Sequence, residues 1–340
     1  MLPVNLITGF LGSGKTTLLK GLLASPELGN SAVLVNEFGE VGLDHHLLER
    51  LDDATVLLQS GCLCCTIRGD LSDAIRDLYD RRERGIVPPF DRLVIETTGL
   101  ADPAPIVATL MNDPIIRHHF RLSNIVTVVD AKNGHSTLRE YEESRKQVAV
   151  ADRIVISKTD IAAPEEVARL NAQVSLLNHT AIRLESSSGS LSATELMASD
   201  VYDPMGKSEE VRRWLAAEEH RPQEKGPAHD HDVNRHGMDI VASCLTLDEP
   251  LVWPAFAIWL TMLLNRHGQD ILRLKGLLNI AGVATPVVIH GVQHTIHAPS
   301  HLDAWPDGLA RTQIVLITRG LERANLQASL EAFNRAATRG

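Results

Sequence analysis

Residues 9–16 constrain the fold of this chain more than any other segment, because they read Gly9-Phe10-Leu11-Gly12-Ser13-Gly14-Lys15-Thr16. An apolar run over residues 4–8 precedes them, so a buried strand is expected to lead into a glycine-rich turn that opens a helix. Glycines allow backbone N–H groups to close around a phosphate where a Cβ would collide. The segment therefore predicts a strand, a phosphate-binding loop and a helix; a glycine-rich turn without nucleotide is the alternative.

The loop residues have predicted roles toward a nucleoside triphosphate. Lys15 is placed for the β- and γ-phosphates and is expected to be needed for hydrolysis. The Thr16 hydroxyl is a candidate ligand of Mg²⁺, and the helix N-terminus adds about half a positive charge toward the anion. The candidate nucleotide-binding residues of this segment are Gly9, Gly12, Ser13, Gly14, Lys15, Thr16 and Thr17.

A second nucleotide signal follows an apolar run over residues 153–156 and reads Ser157-Lys158-Thr159-Asp160. A carboxylate at Asp160 can accept hydrogen bonds from both N1–H and the 2-amino group of guanine, a donor pair that adenine lacks. Lys158 can lie along the plane of the base. The segment resembles the base-recognition motif of GTPases, although these more often carry Asn at the position of Ser157. A capped strand-to-helix turn is the alternative interpretation.

A third signal is an apolar strand over residues 92–95 that ends in Glu96, with Gly99 following in the sequence Glu96-Thr97-Thr98-Gly99. The acid can hold Mg²⁺ directly or through water. The N–H of Gly99 can approach a γ-phosphate, which would make this segment a sensor of hydrolysis. Lys15, Glu96 and Gly99 are therefore the candidate catalytic residues.

A candidate metal site is predicted at Cys62, Cys64 and Cys65, between an apolar run and an amphipathic helix pattern. Three thiols this close can converge on a borderline cation such as Zn²⁺ or Co²⁺, leaving one coordination position open. A disulfide between adjacent Cys64 and Cys65 would be strained. No signal peptide precedes the segment, which favours a reducing, cytoplasmic location. A redox switch and ordinary buried thiols remain alternatives.

These motifs resemble the CobW family of P-loop GTPases in type and in order. The resemblance also covers residues 36–42, 272–276 and 311–317, and so extends over nearly the whole chain. It implies a metallochaperone that binds GTP, GDP and Mg²⁺ and handles zinc in most relatives, with branches tied to cobalt for cobalamin synthesis and to nitrile hydratase activation. Glu37 and Glu40, in the first of these segments, are further candidate ligands of the cargo metal or of Mg²⁺.

Composition and charge limit the partners. The net charge is −10 at pH 7, which argues against nucleic acid and anionic membranes because both bind basic surfaces. Aromatic residues make up only 4% of the chain, so surfaces for base stacking are not expected either. The apolar run over residues 251–264 is too short to span a bilayer and is expected to be a core or subunit-interface helix that starts near Pro254. The expected partner is a client metalloprotein, and a homo-oligomer stays open.

The order of the elements predicts two domains. Residues 1–197 alternate strands and helices, which predicts an α/β P-loop NTPase fold with a mostly parallel sheet covered on both faces. The predicted helices include one over residues 137–149. Residues 198–237 are predicted to be a linker that carries His229, His231 and His236, and residues 238–340 a smaller α+β domain.

The resulting interpretation is a GTP-hydrolysing metallochaperone that binds zinc or cobalt through the C-x-C-C motif and delivers it to a client under nucleotide control. Three alternatives remain: a cobalt- or iron-centre activator of the cobalamin-synthesis or nitrile hydratase type, a metal sensor or buffer with little turnover, and a P-loop small-molecule kinase.

Overall fold

The structure is a computed structural model that describes residues 1–28, 30–35, 56–59, 67–187, 191–198, 211, 240–306 and 308–338. The chain divides into two compact units, one built mainly from Met1–Gln173 and one mainly from Pro204–Gly340. The predicted linker falls almost entirely outside the described residues, so the predicted domain boundaries stay predictions. None of the described helices combines the length and apolar character needed to cross a membrane.

Seven strands of the first unit form one sheet in the order β3-β2-β4-β1-β5-β6-β7, and every described pair is parallel. The residues of the five inner strands are mostly apolar and buried, because helices cover both faces of a parallel sheet. The strands are β1 (Leu2–Gly9), β2 (Ser31–Val35), β3 (Val56–Gln59), β4 (Arg92–Glu96), β5 (Phe120–Asp130), β6 (Arg153–Ser157) and β7 (Ile182–Glu185).

Where the structure describes the connections between these strands, they contain helices, as the parallel arrangement requires. They are α1 (Lys15–Leu23), α2 (Ile67–Glu83), α3 (Pro103–Asn112), α4 (Ile116–His119), α5 (Gly134–Glu140), α6 (Glu142–Val150) and α7 (Pro164–Leu177). The α/β fold with a parallel sheet is as predicted.

The prediction of one helix over residues 137–149 is wrong. Tyr141 is extended, with φ −116° and ψ 122°, and separates α5 from α6. Its ring packs against Phe10 of the glycine-rich loop with 4.6 Å between ring centroids. This tertiary contact accompanies the break, which the local helical pattern does not reveal.

In the continuously described part of the second unit, residues 240–306 and 308–338, an antiparallel sheet packs against two helices. The described strands are β8 (Ile240–Leu247), β9 (Ile271–Leu278), β10 (Val287–Val292), β11 (Thr295–Ile296), β12 (Ser300–His301) and β13 (Thr312–Arg319). The helices are α8 (Trp253–His267) and α9 (Arg323–Thr338). The apolar run over 251–264 becomes α8, whose Phe256, Trp259 and Leu260 lie in the core of this unit, so the prediction of a core helix is confirmed.

Candidate functional site

The glycine-rich loop lies between β1 and α1, where the carboxyl end of β1 meets the start of the helix. Gly14 caps α1 with φ +95°, a left-handed conformation that L side chains rarely adopt. Lys15 is 9% exposed and its ammonium donates a 3.2 Å hydrogen bond to the main-chain oxygen of Phe10, which folds the side chain back over the loop. The first turn of α1 therefore presents backbone donors and a cation at one point, as a bound phosphate chain requires.

Thr16 and Glu96 meet at this edge of the sheet. The Thr16 hydroxyl donates a 2.6 Å hydrogen bond to Oε1 of Glu96, which is 2% exposed at the end of β4. The register of the parallel pair places Glu96 beside Ile7, just before the loop begins. A hydroxyl and a carboxylate oxygen at this distance suit Mg²⁺, a hard cation that prefers oxygen ligands. Their assignment as Mg²⁺ ligands stays a prediction.

The segment after β4 rests directly on the loop. A Cβ placed on Gly99 would lie 2.7 Å from the main-chain nitrogen of Leu11, so only a glycine allows this approach. The same segment also contacts α6, where the buried Gln147 side-chain amide donates to the main-chain oxygens of Gly99 and Ala101 at 3.1 and 3.0 Å. Gly99 therefore contacts both the loop and α6.

The Ser157–Asp160 segment joins the loop from the β6 side. The Ser157 hydroxyl donates to the main-chain oxygen of Ser13 at 2.6 Å. A cavity of about 220 Å³ lies beside this contact. Its walls come from the loop, the first turn of α1 and the strand ends of β6 and β7, and include Gly14, Thr17, Leu18, Val155, Ser157, Lys158, Asp160, Ile161 and Ser186. The two segments predicted to bind phosphate and base thus line one cavity.

Lys158 also lines this cavity. It has φ +59°, and its ammonium lies 2.7 Å from Oδ2 of Asp130, the last residue of β5. Burial raises the pKa of the Asp130 carboxyl, but hydrogen bonds from Lys158, Asn133 and the Lys132 backbone outweigh it, so the pKa lies below its ordinary value of 3.8. The ionised Asp130 therefore fixes the Lys158 side chain at the edge of the cavity.

Residues 3–184 match the family described as CobW/HypB/UreG, nucleotide-binding domain. The chain belongs to this family. Residues 240–334 match a second family, the cobalamin synthesis protein cobW C-terminal domain. The two matched regions lie in the first and second structural units, respectively, and together they bear out the resemblance to CobW proteins.

Curated relatives of this CobW-family chain include zinc chaperones. It is 29% identical over 334 residues to the zinc chaperone YjiA of Escherichia coli, which covers 98% of this chain and 99% of the relative. It is 31% identical over 366 residues to the zinc chaperone CobW of Pseudomonas aeruginosa, covering 97% and 90%. The zinc-regulated GTPase metalloprotein activator 1 of Schizosaccharomyces pombe is 29% identical over 305 residues, covering 82% and 72%.

Solved structures give the same relationship. The zinc-bound YjiA GTPase from E. coli superposes with a TM-score of 0.72 at 25% identity and covers 98% of both chains. A zinc-bound triple mutant of the YjiA GTPase, with one glutamate and two cysteines changed to alanine, gives a TM-score of 0.74 at 26% identity over 98% of this chain and 99% of that one.

The candidate cargo-metal ligands of this CobW-family chain, Cys62, Cys64, Cys65, Glu37 and Glu40, lie outside the described residues, so their role stays a prediction. Within the described ranges, no three His, Cys, Asp or Glu side chains form a group able to hold a metal. The remaining cysteine, Cys244, lies in β8 and is 6% exposed.

Three residues of the site were not predicted from the sequence: Asp130, Gln147 and Ser186. Ser186 follows β7 and is 2% exposed, and its hydroxyl has no hydrogen-bond partner among the described residues. Buried hydroxyls are usually paired in folded proteins, so Ser186 offers an unused donor and acceptor to a ligand of this cavity. A position just after a strand at the carboxyl edge of the sheet was the sequence signal that could have indicated it.

Proposed function

We propose that this chain is a GTP-hydrolysing metallochaperone that binds Zn²⁺, or Co²⁺, through Cys62, Cys64 and Cys65 and delivers it to a client metalloprotein. One observation carries the GTPase part of the proposal: Gly14 and Thr17 of the phosphate-loop region line the same cavity as Lys158 and Asp160. Membership of a nucleotide-binding family supports it, as does similarity to a relative named a zinc-regulated GTPase metalloprotein activator.

In this proposal the site residues act in two groups. Asp160 accepts two hydrogen bonds from the guanine edge, and Lys158 lies along the base, held by Asp130. Lys15 and the backbone N–H groups that start α1 neutralise the β- and γ-phosphates. Thr16 and Glu96 would hold Mg²⁺, which stabilises negative charge that develops on the phosphates during hydrolysis.

The first experiment measures phosphate release from GTP and from ATP at saturating Mg²⁺, with and without Zn²⁺. GTP turnover to GDP and phosphate, with at least about a tenfold preference over ATP, is the expected result for a guanine-binding carboxylate. Lys15→Ala should abolish turnover because the γ-phosphate charge is then uncompensated. Transfer of the phosphoryl group to an added metabolite would favour a small-molecule kinase, and absence of turnover with metal and client present would favour a sensor or buffer.

The cargo is tested separately from the nucleotide. Relatives named zinc chaperones support Zn²⁺, and we expect one tightly held ion per chain, with thiolate-to-metal charge-transfer absorption when Co²⁺ is the probe. A variant with Cys62, Cys64 and Cys65 changed to Ser should lose this absorption and the tight affinity. An unchanged affinity would move the site elsewhere, first to His229, His231 and His236. Affinity decides the matter better than occupancy does, since a YjiA variant lacking two cysteines still crystallised with zinc.

The client is tested by capture. The protein locked with a non-hydrolysable GTP analogue is loaded with Zn²⁺ and used to retain partners, and the same protein with GDP serves as its control. A partner retained in only one nucleotide state, and requiring the metal, is expected from a chaperone under nucleotide control. Retention that ignores both nucleotide and metal contradicts that part of the proposal.

A further inference from the structure

Gln147 is a buried polar side chain to which the proposed chemistry assigns no role. It lies on α6 and is 0% exposed. Its side-chain nitrogen donates to the main-chain oxygens of Gly99 and Ala101, on either side of Leu100. Two carbonyl acceptors can be satisfied only by the NH₂ end of the amide, so the orientation of the group is fixed by its partners.

The backbone that carries Gln147 is itself anchored. Its main-chain oxygen accepts a 2.7 Å hydrogen bond from the Thr127 hydroxyl of β5, which is 1% exposed. Strand β5 pairs with β1, whose last residue is Gly9, the first residue of the phosphate loop. These contacts therefore fix the position of the Gln147 amide relative to the phosphate loop.

The segment to which Gln147 donates its hydrogen bonds also packs against the phosphate loop. Residues Thr98–Ala101 form a turn closed by a 3.2 Å backbone hydrogen bond from the Ala101 nitrogen to the Thr98 oxygen. Gly99 lies against Leu11 of the loop, and its main-chain oxygen accepts a hydrogen bond from Gln147. A shift of this turn relative to α6 would stretch one or both of the Gln147 hydrogen bonds.

We infer that Gln147 is a positioning residue that sets the Gly99 N–H relative to the γ-phosphate of GTP. This inference rests on the proposed function, because it takes Gly99 to respond to the γ-phosphate of GTP. Gln147 acts on that response through Gly99 and not by touching the nucleotide. GDP lacks the γ-phosphate, so Gln147 favours GTP over GDP without changing the affinity for the part that the two nucleotides share.

The test compares the affinities of the full chain for GDP and for a non-hydrolysable GTP analogue. Gln147→Met keeps the length of the side chain and removes both donors. We expect its preference for the analogue over GDP to fall about tenfold, the effect of one to two neutral hydrogen bonds, with GDP affinity retained. Single-turnover hydrolysis should slow in parallel.

Gln173→Met is the matched control. Gln173 is also a buried glutamine, 9% exposed on α7, but its side-chain oxygen lies 2.6 Å from Nδ1 of His135 rather than against the turn at Gly99. The same chemical change there should leave the ratio of analogue to GDP affinity as in the wild type. An equal fall of the ratio in both variants would overturn the inference.

Gln147→Glu provides a second, independent readout if the methionine variant does not fold. An ionised carboxylate has no donor and repels both carbonyls, whereas the protonated acid supplies one O–H. The ratio of analogue to GDP affinity, divided by that of the wild type at each pH, should therefore rise as the pH is lowered. A ratio that equals the wild-type value at every pH would overturn the positioning role.

The two proposals fail in different ways. Wild-type protein that does not bind guanine nucleotides overturns both. Wild-type protein that binds and hydrolyses GTP, with a Gln147→Met variant that loses GDP and analogue affinity equally, leaves the proposed function intact and overturns the role of Gln147.

Discussion

The hydroxyl of Ser157 and the main-chain oxygen of Ser13 are 2.6 Å apart, so the predicted base-recognition segment is hydrogen-bonded to the phosphate loop. The same hydroxyl lies 3.3 Å from the main-chain oxygen of Val129 in β5. A serine at this position, where GTPases more often carry Asn, thus still connects the end of β6 to the loop. The shorter side chain reaches because Ser157 lies at the end of its strand, next to the start of α1.

Removing that hydroxyl should weaken the site without changing its preference among guanine nucleotides. Ser157→Ala leaves the Ser13 oxygen without this donor, and we expect a loss of about 1–3 kcal/mol in stability. GDP and GTP-analogue affinities should fall by the same factor, because the contact does not depend on the γ-phosphate. Chemical denaturation and nucleotide titration measure the two effects. Ser136→Ala, which removes an exposed turn hydrogen bond, should stay within about 0.5 kcal/mol of the wild type.

Glu96→Gln should weaken Mg²⁺ binding while leaving the fold of the site intact. The amide oxygen can still accept the hydrogen bond that Thr16 donates to Glu96, so stability should change little. Loss of the negative charge should weaken Mg²⁺ binding by about 10–100-fold or more and raise the Mg²⁺ concentration needed for hydrolysis. Thr16→Ser keeps the hydroxyl and should need nearly the wild-type concentration. A Mg²⁺ titration of the hydrolysis rate that is identical for wild type and Glu96→Gln would exclude Glu96 as a ligand.

Asp160→Ala should remove most of the preference for GTP over ATP. A charge-assisted hydrogen bond contributes about 1.5–3 kcal/mol, so the wild type should prefer GTP by at least about tenfold. Binding of the phosphates should persist, because Asp160 is not part of the loop. Competition titrations with GTP and ATP provide the measurement. Glu165→Ala, which removes an exposed acid from the first turn of α7, is the control for the loss of one negative charge.

Because of the Asp130–Lys158 pair, the stability of the wild type should vary with pH in the acid range. The pKa of Asp130 lies below its ordinary value of 3.8 in the folded protein, so the unfolded chain takes up this proton first as the pH falls. Its stabilising contribution is therefore fully present above the ordinary pKa and is lost as the pH falls through the lower, folded-state pKa. Denaturation of wild type and Asp130→Asn between pH 6 and 2.5 should show a difference that shrinks below about pH 4. A difference independent of pH would show that packing, not ionisation, gives Asp130 its effect.

Local signals account for what the sequence could predict. The loop at residues 9–16 and the strand that ends at Glu96 are each encoded within a few consecutive residues, and the structure places them at one edge of the sheet. Gln147 and Ser186 escaped prediction because their neighbours lie far along the chain: Gln147 donates to the main-chain oxygen of Gly99, and Ser186 lines the cavity beside Ser157. The break at Tyr141 escaped for the same reason, since its ring packs on Phe10.

The register of the sheet gives a physical basis for coupling between nucleotide and cargo metal. Val35, the last residue of β2, pairs with Glu96 of β4 on one side and with Gln59 of β3 on the other. The segments that carry the candidate ligands follow these strand ends directly in the sequence: residues 36–42 follow Val35, and Cys62, Cys64 and Cys65 come soon after Gln59. Strands β2 and β3 therefore both end at the edge where Glu96 lies, and we predict that the candidate ligands that follow them in the sequence meet at that edge.

We expect Zn²⁺ affinity to differ between the GTP-analogue and GDP forms by about 1–3 kcal/mol, or roughly 5- to 150-fold. A γ-phosphate can order loops near this edge and hydrolysis can release them, so the thiolates would take up a different geometry in each state. The coupling must be reciprocal, because binding free energies around a closed cycle sum to zero: Zn²⁺ must change the preference for GTP analogue over GDP by the same factor. Calorimetric Zn²⁺ titrations of the two nucleotide forms, and nucleotide titrations with and without Zn²⁺, measure both sides of the cycle. The coupling should be lost in a variant with Cys62, Cys64 and Cys65 changed to Ser. This variant should still bind nucleotide. Equal Zn²⁺ affinities in both forms, with and without client, would leave a GTPase that binds metal but does not switch it.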